Sequence, residues 1–117
     1  MDKKSLIKAI ATGEDSKHQF KADITNADSL AAEMVAFSNS EGGRIFIGVS
    51  DTGAAIGLAS HDVSRINQLI SNVASQNVRS PISPSTENVP VGGGKAVIVL
   101  TVAKGIDKPY FDRNGVI

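Results

Sequence analysis

The chain is predicted to form an α/β (α+β) domain: a mixed β-sheet with two main core helices plus a short N-terminal helix. Three observations carry this. Leu30, Met34 and Phe37 recur at helical spacing, as do Val63, Ile66, Leu69, Ile70 and Val73. Arg44–Val49 and Lys95–Val102 are short, nearly continuous apolar runs of the kind found in strands buried on both faces. Glycine-rich and polar turns separate these stretches, so helices alternate with strands before a late hairpin.

In chain order, Leu6, Ile7 and Ile10 form an amphipathic stripe that Thr12-Gly13 stops, predicting an opening helix over residues 3–12. His18–Asp23 follows as a first strand with Phe20 inward. Asn26 and Asp28 can cap a helix running to about Asn39. Gly42-Gly43 supplies the positive φ angles of a tight reversal into the strand ending at Val49. Gly48 lacks a side chain where the strand pattern expects one, which predicts close approach by another backbone or a bend just before the polar Ser50-Asp51 turn.

Ile56-Gly57-Leu58 reads as a short paired segment, and Ser60 as N-cap of the second core helix, which ends near Ala74 to Asn77. Two prolines keep Ser80–Pro84 extended or turning. Thr86–Val91 contains Pro90 and is therefore expected at a sheet edge. Gly92-Gly93-Gly94 has no following Gly-Lys-Ser/Thr and is read as a hairpin tip rather than a phosphate loop. Lys108–Ile117 reads as an extended segment, an Asn-Gly turn and the first two residues of a strand. A strand cut so early predicts that residues 1–117, one domain, are the N-terminal part of a longer protein.

Composition narrows the function. Cysteine is absent, which removes thiolate chemistry, disulfides and zinc fingers. Neither a signal peptide nor an apolar run of the roughly 20 residues a membrane helix needs is visible, so a cytoplasmic location is expected. Twelve basic and twelve acidic residues cancel, so any polyanion site must be a local patch. His18 and His61 lack metal-ligand spacing and read as surface residues.

Gln19-Phe20-Lys21, the run Ala36–Asp51, and then Gly53, Ile56 and Gly57 resemble the Schlafen-type AlbA-like domain family. The resemblance spans about Leu6 to Ile117. It implies a DNA-binding module, of the kind that often begins longer bacterial transcriptional regulators described as related to an ATP-dependent DNA helicase. Some members are nucleases, and there the resemblance implies three carboxylates, which fall here on Glu14, Gln19 and Asp51. The middle one is an amide, a weaker ligand for Mg²⁺ or Mn²⁺ and no base. Glu14 and Asp51 are therefore weak catalytic candidates, better explained by turn chemistry on a solvated surface, and the expected reading is non-enzymatic with no metal and no cofactor.

The binding candidates are cationic. Lys17 and Lys21 are in register for one outward strand face, Arg44 begins the adjoining strand, and Arg113 lies in the last hairpin. Together they form a phosphate site, or they are ordinary solvated cations. Phe20, Phe37 and Phe46 fit the core, leaving Tyr110 and Phe111 as the only candidates for base stacking. The Asn39–Gly43 loop admits an ATP reading, but its glycines are needed for the turn regardless of ligand. Nucleic acid, DNA in the first instance, is the expected partner, with no membrane. A metal-dependent nuclease with a degenerate acidic site and a homodimer paired through Thr86–Val91 are the alternatives.

Overall fold

The computed structural model of the chain describes residues 1–79, 82–106 and 108–115. Its elements run α1 (Lys3–Ile10), β1 (His18–Lys21), α2 (Ala27–Asn39), β2 (Gly43–Ile47), α3 (Ser60–Gln76), β3 (Val78–Arg79), β4 (Ser85–Gly92), β5 (Lys95–Val102) and β6 (Phe111–Asp112). Four strands form one sheet in the order β1-β2-β5-β4, and β3 pairs with β6 in a second, two-stranded sheet. The large sheet is mixed as predicted: β1 runs parallel to β2, and the β2–β5 and β5–β4 pairs are antiparallel.

Alternation along the strands sends side chains to two separate cores. Ile45, Ile47, Ile98, Leu100 and Val102 face one way and pack with Leu30, Met34 and Val35 of α2 and Ile66, Ile70 and Val73 of α3. Phe20, Phe46, Val89, Val97 and Val99 face the other way and are covered by Leu6 and Ile10 of α1. Because β2 and β5 carry apolar residues on both faces, they read as continuous apolar runs. Phe46 is fully buried, a burial that contributes about 2–3 kcal/mol on area grounds.

The helix boundaries follow from local chemistry. Asp2 caps α1 by accepting from the Ser5 amide at 2.8 Å. The Asn26 side chain accepts from the Ser29 amide at 3.0 Å at the start of α2, as expected of that residue. For α3 the expectation needs correcting. Ser60 is already helical, and the extended residue before the helix is Ala59, which offers no side-chain oxygen. Asp62, in the first turn, keeps a carboxylate at the positive helix end.

Gly48 behaves as its place in the pattern requires. Its φ is +99°, and a Cβ there would lie 3.2 Å from Leu58 Cγ and 3.3 Å from the Gly57 backbone. Leu58 in turn forms an isolated antiparallel bridge to Ala96. Strand β4 lies at the sheet edge, where Pro90 is tolerated, and its register with β5 shifts between Pro90 and Gly92. The strand β3 was not anticipated, since two residues carry no readable period. The strand expected at Val116-Ile117 lies outside the described residues.

Candidate functional site

The end of the sheet where α2 hands over to β2 is set by two glycines. The Gly42 amide donates to Phe37 O at 2.9 Å, closing the helix end. Gly42 has φ +82°, and a Cβ on it would meet Val102 O at 2.7 Å. A Cβ on Gly43 would lie 2.3 Å from the Phe37 ring. Packing alone thus accounts for both glycines, in keeping with the structural reading of this loop.

Arg44 follows at once, and its amide donates to Lys17 O at 2.8 Å. That bond brings Lys17 and Arg44 to one cleft of about 300 Å³, lined also by His18, Glu41, Thr101 and Ala103. Among the described residues, no carboxylate comes within 4 Å of either cation. Glu41, on the rim, is 3.5 Å from Lys104 Nζ.

His18 lines the same cleft. Its ring stacks on Phe46 with centroids 6.2 Å apart, and its Nδ1 lies 2.8 Å from Asp15 Oδ1. The Asp15 carboxylate also accepts from the Lys17 amide at 2.8 Å. That amide, then the His18 side chain, hold the Asp15 carboxyl below its usual range. This fixes the turn that presents Lys17.

The four cations singled out from sequence separate into two sets. Lys17 belongs to the turn before β1, not to the strand, so it does not share a strand face with Lys21. Lys21 shares with Gln19 the side facing α2, and its Nζ lies 2.8 Å from Glu33 Oε1. Arg113 lies 3.1 Å from Asp28. Both are already neutralised. Sequence reasoning missed Arg65, which donates to Asp23 at 2.8 Å, to Asp62 at 3.1 Å and to Ile24 O at 2.8 Å. The Asp62–Arg65 spacing on one helix could have flagged it; the reach to Asp23 could not.

The carboxylate positions do not assemble a metal site. Glu14 accepts from the Phe20 amide at 2.7 Å, an edge amide of β1. Asp51 is exposed in the turn after β2. The Gln19 Oε1 is buried with no hydrogen-bond partner, so a neutral amide stands where a charged ligand would be needed. Among the described residues, no three His, Asp or Glu side chains gather to hold an ion. The donor set does not fit a divalent cation.

The stacking candidates also change. Tyr110 is buried, its backbone held on both sides by Asn39, which accepts from Tyr110 N at 2.6 Å and donates to Tyr110 O at 2.9 Å. Phe111 is partly buried in β6. Gly105, in the preceding loop, is pressed against the Tyr110 ring, where a side chain would approach to 2.1 Å. Among the described residues, no helix is long and apolar enough to cross a membrane.

This fold has solved relatives. The N-terminal domain of a protein from Nitrosomonas europaea, named for its relation to the ATP-dependent DNA helicase RecG, superposes with a TM-score of 0.67 at 18% identity, over 93% of this chain and 78% of that one. The DIP2311 protein from Corynebacterium diphtheriae gives a TM-score of 0.54 at 21% identity, over 96% of this chain but 24% of that one. This chain thus spans about a quarter of the second protein's length. No curated protein matches it. Residues 14–117 match the family described as Schlafen, AlbA_2. Over these residues, from Glu14 onward, the chain is a member of the Schlafen AlbA_2 family.

Proposed function

We propose that this domain binds nucleic acid through its phosphates, double-stranded DNA in the first instance, as the N-terminal module of a bacterial transcriptional regulator. The observation that carries the reading is the convergence of Lys17 and Arg44 on one cleft with no carboxylate partner among the described residues. Unpaired cations that share a cleft are poised for phosphate oxygens, which supply most non-specific affinity for nucleic acid. The family membership and the helicase-related name of the Nitrosomonas relative support the same direction. Lys21 and Arg113 would join only by exchanging Glu33 and Asp28 for phosphate.

The absence of an exposed aromatic platform among the described residues favours a duplex backbone over stacked single strands. The test is binding to labelled duplex DNA, single-stranded DNA and structured RNA at two or more salt concentrations. Duplex binding should weaken with salt, and the double variant Lys17→Ala/Arg44→Ala should lower the logarithmic salt slope by about 2, since each phosphate left without its cation accounts for roughly 0.9. Unchanged affinity and slope in that variant would remove these two residues from the interface.

A further inference from the structure

The chain has no net charge, yet its ion pairs are unevenly placed. On the side of the sheet covered by α2 and α3, Lys21, Arg65 and Arg113 each lie within 4 Å of a carboxylate. The opposite side differs. Arg44 alternates with Ile45 and so points the same way as Phe46, towards the face that α1 covers. On α1, Lys3, Lys4 and Lys8 are exposed, and among the described residues none has a carboxylate within 4 Å.

Three carboxylates on this face are engaged, while Asp51, exposed in the turn beside the end of α1, has no ion-pair partner among the described residues. Asp2 caps α1 through the Ser5 amide, Glu87 meets the Met1 ammonium, and Asp15 serves the Lys17 turn. The helix geometry orders the cations. Leu6 and Ile10 point into the sheet, so Lys4 and Lys8, four residues apart, share the solvent side. Lys3 and Ile7 share a flank, and Ala9, which packs against the second core, lies on the other. Ile7 is 43% exposed.

We infer that the α1 side of the sheet is one extended polyanion-binding face, in which the α1 lysines continue the Lys17–Arg44 cleft, and that its occupant is the sugar-phosphate backbone of a DNA duplex. This rests on the phosphate-binding reading above and specifies the path of the bound polymer. Charge complementarity selects the occupant: among the described residues, Lys3, Lys4, Lys8 and Arg44 lie on one face without carboxylate partners, with Lys17 beside Arg44 in the cleft, whereas on the other face Lys21, Arg65 and Arg113 are tied down in ion pairs and Arg79 is not. Net neutrality then reflects segregation of charge rather than a lack of it.

Two experiments on the intact chain test this. First, Lys3→Gln/Lys4→Gln/Lys8→Gln is compared with Arg79→Gln/Lys108→Gln, exposed cations away from α1, for binding to a labelled duplex of about 30 base pairs over a salt series. The α1 variant should lose at least about tenfold in affinity at low salt and about 2 to 3 in slope, and the control should lose under half of that. Second, the absence of cysteine permits single-site attachment of a photo-crosslinker at Ile7→Cys or Ser64→Cys, the latter on exposed α3. Crosslinking from position 7 and not from position 64 supports the inference. Equal crosslinking, or an α1 variant that binds as wild type while Lys17→Ala/Arg44→Ala does not, overturns it and leaves the cleft reading intact. Lysine-dependent binding to anionic vesicles in preference to the duplex also overturns it. A wild-type chain that binds no duplex at all overturns both.

Discussion

Arg65 Nη2 lies 2.8 Å from Asp23 Oδ1, tying α3 to the segment that leaves β1. The same guanidinium donates to Ile24 O, so one side chain holds both a carboxylate and a carbonyl of that segment. The Arg65 hydrogen bond is the chief reason the Asp23 carboxyl titrates below its usual range. Asp2 and Asp15 are lowered too, each mainly by a backbone amide.

A lowered carboxyl stabilises the fold at pH values above its unfolded pKa, and that contribution disappears as pH falls through the lower folded value. Stability due to these three groups should therefore be constant through neutrality and begin to fall only below about pH 4. Arg65→Met should flatten that acid limb by removing the Asp23 share. Urea unfolding at a series of pH values checks this, and an acid limb identical in the variant would refute the assignment.

Gly42→Ala should destabilise by about 2–4 kcal/mol. The new Cβ would have to accept a left-handed backbone and a contact with backbone oxygen closer than real Cβ atoms show. Thermal unfolding measures this directly. A loss under about 0.5 kcal/mol would mean that the turn relaxes freely.

Asn39→Ala should cost about 1–3 kcal/mol, because both partly buried hydrogen bonds to the Tyr110 backbone disappear together. Amide hydrogen exchange at Tyr110 should rise far more than at α1. Equal increases at the two places would argue against a local clamp.

Gln19→Glu is the variant that completes the three-carboxylate pattern expected from the family resemblance. In this structure it would place a charge where Oε1 is already buried without a donor. The expected outcome is a loss of about 1–3 kcal/mol at neutral pH, smaller under acid conditions where the new carboxyl is protonated. No Mn²⁺-dependent cleavage of structured RNA or DNA should appear. Cleavage by this variant would revive the metal-dependent alternative.

Much of the fold was legible because its strongest elements carry strong periods. The α2 and α3 stripes, the β2 and β5 runs, and the Asn26 cap all lie where residue spacing put them. Strand β3 was invisible because two residues have no period, and Ser60 misled because a good capping residue can also begin a helix. At the site, Lys17 and Arg44 were named from sequence, but their closeness depends on the Arg44 amide reaching Lys17 O, a long-range bond. The neutralisation of Lys21 by Glu33 depends on how α2 lies over β1, which local spacing does not encode.

The Glu14 carboxylate on the Phe20 amide makes the two borders of the large sheet chemically unequal. At β1 a side chain of the same molecule already takes the place that a foreign strand's carbonyl would need, so that border is closed to recruitment of a further strand. Growth of the sheet between molecules would have to start at β4, where Pro90 has no amide to offer and the register slips beside it. Removing Glu14 would thus expose a sticky seam while leaving either core untouched, and the first sign would be self-association at high concentration rather than unfolding.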